Sequence, residues 1–239
     1  MKKFLFLLAF FSISLFAEGF TVDLGHPTGS SAAKLIQTVF VIGILTLAPS
    51  IAIMTTSFTR IVIVFSFLRN ALGLQQSPPN VVLVSLALFL SIFIMGPTID
   101  TAYENGIKPL IEEKINEEQA FTKITEPLKT FMLKQTRENE IKKFIELSKA
   151  KNIKNISDIP LKALIPAFMI SEIKKAFEMG FLIFLPFLVI DMIVSSILMA
   201  MGMMMLPPVM ISLPFKIIFF VLIDGWSLLS ESLVKSFNM

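Results

Sequence analysis

The side chains that most often carry chemistry are scarce in this chain. Its 239 residues include one histidine, His26, and no cysteine, so the sequence offers no disulfide, thiolate metal site or thiol redox chemistry. It contains no HExxH helix, Gly-rich phosphate loop or Ser-His-Asp set. His26 sits in a polar N-terminal stretch, where solvation accounts for it. These residue types support no catalytic, cofactor-binding or metal-binding site, and the chain reads as a non-enzyme.

Two other kinds of residue remain. Four charges, Arg60, Asp191, Lys216 and Asp224, stand within or at the edges of apolar blocks. Charges at membrane depth are costly and either pair or face water. Asp191 and Lys216 are natural partners if the second half folds back on itself or meets a neighbour. The four are expected at subunit contacts, with no proton relay; snorkelling near a span end also suits Asp224 and Arg69. The other kind is methionine. Of 14 methionines, seven fall between positions 192 and 210, and Met203, Met204 and Met205 directly precede Leu206-Pro207-Pro208. Methionine is unbranched and polarisable, so it repacks around varied partners. Several copies aimed at one axis would make a dry plug that blocks ions and parts for a polypeptide. A loosely packed helix end is the alternative. Successive residues lie about 100° apart on a helix, so three in a row share no face, and something looser than a helix stripe is expected there.

The elements that hold these residues follow from composition. The chain is 54% hydrophobic and only 16% charged, against about 25% charged in ordinary soluble domains. The apolar residues are gathered into blocks that must be solvated by lipid or by other subunits. Between Asp100 and Lys162 stand 12 Lys/Arg and 11 Asp/Glu, a nearly neutral island. The formal charge of +3 therefore marks no basic patch, and no nucleic-acid partner is expected.

Residues 1–19 read as a cleavable signal peptide. Lys2 and Lys3 precede a largely apolar core of 13 residues (4–16), too short to cross a bilayer core of about 30 Å at about 1.5 Å per residue. A cut after Ala17 or Gly19 fits the small-residue pattern. A short polar segment (20–34) follows, then a first hydrophobic helical hairpin (35–98), a charged helical insert (99–162) and a second hydrophobic hairpin with the Met-rich loop (163–239). The apolar blocks are 35–54 (continued at 61–68 beyond a polar step at 55–60), 81–95, 181–206 and 209–223. Pro78-Pro79 and Pro207-Pro208 mark the turns, because proline lacks an N–H and restricts the residue before it. With the new N-terminus outside, the loop carrying Arg60 and Arg69 faces the cytoplasm, in line with the positive-inside rule, and the insert falls in the periplasm. Amphipathic spacing in the insert, such as Leu161, Leu164, Ile165, Phe168 and Met169, predicts helices. Ser196 and Ala200 follow a small-xxx-small pattern that favours close helix approach and oligomerisation. Trp226, just past the last block, suits an interfacial anchor. The expected fold is an all-α membrane protein of two long helical hairpins flanking a helical periplasmic insert and assembling into an oligomeric pore.

Longer motifs are specific. The run from Leu47-Ala48-Pro49-Ser50 through Met54-Thr55-Thr56-Ser57-Phe58-Thr59-Arg60, Phe67-Leu68-Arg69-Asn70-Ala71-Leu72-Gly73 and Ser77-Pro78-Pro79-Asn80 resembles the flagellar FliP family. So do Ser171-Glu172-Ile173-Lys174, Leu185-Pro186-Phe187, Ile190-Asp191, Gly202-Met203-Met204-Met205-Leu206-Pro207-Pro208 and Leu213-Pro214-Phe215-Lys216. The resemblance covers about residue 35 to the C-terminus. It implies a pentameric core that, with FliQ and FliR, forms the type III protein export gate of the flagellar basal body in the bacterial inner membrane. Unfolded flagellar substrates would pass through it, driven by other subunits of the apparatus, with membrane lipid around part of the assembly. It assigns a pore gasket to Met203, Met204 and Met205. It also implies that much of the complex lies above the membrane plane, so apolar blocks can be buried in subunit contacts. Alternatives on the residues alone are an ion or solute channel subunit, a scaffold without a pore, or the equivalent subunit of a virulence type III system.

Overall fold

The computed structural model describes residues 53–148, 158–203 and 205–237, with isolated helical positions between 36 and 51. The expected signal (1–19), the polar segment with His26, most of the first apolar block, residues 149–157 of the insert and Met204 lie outside the described residues. The chain divides into two units, Met1–Pro49 and Ser50–Met239. All that follows concerns the second.

Among the described residues the regular structure is entirely helical. The order is α1 (Phe58–Ala71), α2 (Asn80–Ala102), a π-helical turn (Tyr103–Ile107), α3 (Lys108–Ile111), α4 (Glu117–Gln135), α5 (Glu138–Ser148), α6 (Leu161–Ala200), α7 (Pro208–Leu222) and α8 (Gly225–Lys235). The polar step before α1 is a turn in which the Thr55 and Thr56 hydroxyls donate to the carbonyls of Ile51 and Ile53. Such local bonds compete with helix propagation.

One device ends the first arm of both apolar hairpins. After α1, Gly73 takes φ +78°, its N–H donates to Asn70 O, and Leu74 N–H donates to Arg69 O. After α6, Gly202 takes φ +73°, with matching bonds from Gly202 to Met199 and from Met203 to Leu198. Both are Schellman stops, in which glycine enters the left-handed region at little cost. Each is followed by a Pro-Pro pair that starts the returning helix. In the insert, Asn116 and Gln119 form a reciprocal capping box that opens α4.

Helix α6 departs from the expected 181–206 block. It runs for 40 residues through Pro166 and Pro186, so it begins at the very end of the insert, well before Phe181, and stops short of Leu206. A helix of that length spans about 60 Å, twice the hydrocarbon thickness of about 30 Å. A large part of it therefore extends beyond any lipid core it enters.

Helix α1 is the packing centre. Ile61, Val64 and Phe65 are fully buried and meet Leu83 and Ala87 of α2, Ala176 and Phe187 of α6, Phe220 of α7, and Leu229 and Leu233 of α8. Gly180 permits the α1–α6 contact, since a Cβ there would lie 2.5 Å from the Phe67 ring. The insert is no separate lobe. Met132 of α4 packs with Leu164 and Phe168 of α6 and with Ile141 and Ile145 of α5, while α4 also lies along α2.

Candidate functional site

The methionine turn joins α6 to α7 and is the least covered part of the second hairpin. Met205 is 98% exposed and Met203 is 44% exposed; Met204 lies outside the described residues. The turn itself is held by backbone bonds at Gly202, Met203 and Leu206, and the Met205 side chain projects from it almost fully exposed. Leu206, Val209 and Met210 beside it are also exposed, which makes the whole tip apolar and open. Ser196 and Ala200 on the approaching arm are exposed too.

Behind this tip sits a polar clasp. Lys216 of α7 is buried and its Nζ donates to Asp191 Oδ2 of α6 at 2.6 Å and to the Ala71 carbonyl of α1 at 3.1 Å. Ser212 Oγ donates to the other carboxylate oxygen of Asp191. The ammonium thus meets a helix C-terminus, where the dipole favours positive charge, and a carboxylate that is itself satisfied. One lysine ties the turn after α1 to the base of the methionine turn. Asp224 is not part of this group. It is exposed, adopts a left-handed φ of +49°, and stands where α7 gives way to α8 across a 63° bend. Trp226 follows it and packs edge-on against Phe65 and Phe220.

Arg60 is the most deeply buried of the four charges. A guanidinium has five N–H donors, and here five bonds match them. Nε donates to Glu172 Oε2 at 2.8 Å, and Nη2 donates to Glu172 Oε1 and to Gln135 Oε1. Nη1 donates to Ser236 Oγ at 3.0 Å and to the Ser236 carbonyl at 3.3 Å. The Phe237 ring lies 3.6 Å from the guanidinium carbon. Lys175 adds donors to the Gln135 side chain and carbonyl. Arg60 therefore joins α1, α4, α6 and the residues after α8, and all its donors are used inside this chain.

Glu172, Gln135, Ser236 and Phe237 were not singled out from sequence. A signal for Glu172 does exist. Leu164, Phe168 and Glu172 recur every four residues on one helix face, and the first two are fully buried. A carboxylate continuing an apolar stripe needs a buried cation. Nothing local marks the other three, which meet Arg60 only through the tertiary fold.

Two helical stretches, Asn80–Ile111 and Leu161–Ala200, are long and apolar enough to cross a membrane, and α7 with α8 would make a third if the bent pair is one span. Little of the most apolar part of either long stretch is buried. Phe89, Phe93, Phe181, Leu182, Met192 and Ile193 are among the exposed large side chains. Among the described residues no group of acidic or histidine side chains could hold a metal ion. These features define a class: a helical protein with membrane-compatible apolar surfaces, Arg60 and Lys216 sequestered inside and an exposed apolar tip.

Comparison with known proteins gives the family. The FliP family model matches residues 41–233. The flagellar biosynthetic protein FliP of Caulobacter vibrioides is 53% identical over 217 residues, covering 91% of this chain and 81% of the relative. That of Bacillus subtilis is 52% identical, covering 87% and 93%. That of Aquifex aeolicus is 44% identical over the full length of both. The chain belongs to the FliP family of flagellar export apparatus components.

Proposed function

We propose that this chain is the core subunit of a homo-oligomeric, pentamer-like export pore in the bacterial inner membrane. It would be completed by FliQ and FliR and would conduct unfolded flagellar proteins. Met203, Met204 and Met205 form its gasket, and residues 99–162 lie on the periplasmic side. The single observation that carries this reading is the methionine turn: an exposed, apolar, deformable tip held by backbone bonds where the 40-residue α6 gives way to α7. Such a tip repacks around sequences of any kind, whereas an ion path presents polar or charged rings at its constriction. Asp191 and Lys216, the charges behind the tip, bond to each other and supply no such ring. The exposed apolar faces of α2 and α6 are read as surfaces for neighbouring subunits and lipid, which is how a chain with so little of these helices covered avoids aggregation.

The test replaces Met203, Met204 and Met205 together by Ala in cells carrying the full apparatus. Assembly, followed as native mass after detergent extraction with FliQ and FliR, is expected to be unchanged, while membranes leak small solutes. Normal impermeability with normal export would remove the gasket. A monomer, alone and with partners, would remove the pore.

A further inference from the structure

We propose that residues 225–237 form a strap whose docking shuts water away from the Arg60–Glu172 pair and thereby clamps α4, the main insert helix, onto α6. The pair is almost completely buried, with side-chain exposures of 1% and 0%. A buried ion pair offsets its desolvation only when every donor is met. Both acceptors of Arg60 Nη1 come from Ser236, and the one aromatic ring over the guanidinium is Phe237. The Phe237 carbonyl is also the acceptor for Gln135 Nε2 at 3.0 Å. With the strap away, Arg60 would keep Glu172 but lose two bonds and its covering ring, and Gln135 would lose one. Water has a route to them. An open cleft of about 740 Å³ between α2 and α4 has Gln135, Phe131 and Phe237 in its lining. One ring thus both lines the cleft and covers the guanidinium.

The strap is also built to come and go as a unit. It binds through one stripe, Leu229, Leu233 and Phe237, spaced four apart and buried, while its other face carries the exposed Glu231–Lys235 pair. It is attached by a sharp turn at a non-glycine left-handed residue, Asp224, a conformation that costs about 1 kcal/mol or more. Gly225 is pressed against the Phe220 ring, where a Cβ would lie 2.1 Å from a ring carbon.

Because the chain has no cysteine, a single thiol reports cleanly on opening. Ser171→Cys places it on α6 at a fully buried position whose hydroxyl accepts from the Arg137 N–H just beyond α4. Ala87→Cys, fully buried between α1 and α2, is the control. The full chain in detergent is labelled under native conditions with a sulfonated maleimide. Phe237→Leu, which keeps apolar bulk but loses the π face, should speed labelling at Ser171→Cys about tenfold, on the scale of one desolvated cation–π contact. The rate at Ala87→Cys should not move, and Phe237→Trp should keep the parent rate. Unchanged labelling at Ser171→Cys would overturn the strap. Equal acceleration at both thiols would also overturn it, because the effect would then be general loosening. So would a Phe237→Trp variant as fast as Phe237→Leu.

Discussion

Arg60 and the methionine turn sit at opposite extremes of one chain. At Arg60 every donor has a named acceptor, supplied by Glu172, Gln135 and Ser236. At the methionine turn the backbone is held by bonds at Gly202, Met203 and Leu206, yet Met205 touches almost nothing of its own chain and Met203 is nearly half exposed. A buried charge specifies structure because its alternatives are costly. An exposed thioether specifies almost nothing, which suits a surface that must fit many partners. The molecule places rigidity where its helices cross and adaptability at a hairpin tip.

That contrast can be broken in order of size. Arg60→Ala leaves buried Glu172 with only the long contact to Lys175 Nζ at 4.0 Å, and should cost about 3–5 kcal/mol, read as a large drop in the thermal unfolding midpoint of the full chain in detergent. An unchanged midpoint would mean that water already reaches the pair. Lys216→Met should cost less, about 1–3 kcal/mol, because the Asp191 side chain it abandons is 28% exposed and can be hydrated. A loss as large as that of Arg60→Ala would show that the clasp behind the tip is as tightly sealed as the centre. Met203→Ala with Met205→Ala should shift the same midpoint least, within about 0.5 kcal/mol, even where permeability changes. A shift beyond 1.5 kcal/mol, roughly three times that figure, would mean the turn is packed and would erase the difference between the two regions.

Much of the fold was legible because its signals are local. The Pro-Pro turns are short-range chemistry and were read directly, whereas the Gly73 and Gly202 stops beside them came only with the structure. The last apolar block, read as 209–223, is a helix over Pro208–Leu222. The polar step before Arg60 is a real break. Helix α6 was read too short because Glu172, Lys174, Lys175 and Glu178 interrupt its hydropathy, whereas a helical backbone is indifferent to them and continues. The arginine node was not legible for a different reason. Its partners lie 75, 112 and 176 residues away in sequence, and no periodicity encodes a contact of that range. The methionine cluster, by contrast, stands out in composition alone, and so does the absence of catalytic residue types.

The span between Arg60 and Glu172 has a consequence in time. When α1 leaves the ribosome its arginine lacks its folded-state partner Glu172 until 112 further residues are made, roughly ten seconds of synthesis at about 10 residues per second. Ser236 arrives later still. Throughout that interval the guanidinium must stay hydrated, so the first hairpin has to wait at an aqueous surface and cannot settle into an apolar one. The order of burial is thereby written into the chain: the arginine in the middle of the core is among the first residues synthesised there and among the last to be sealed.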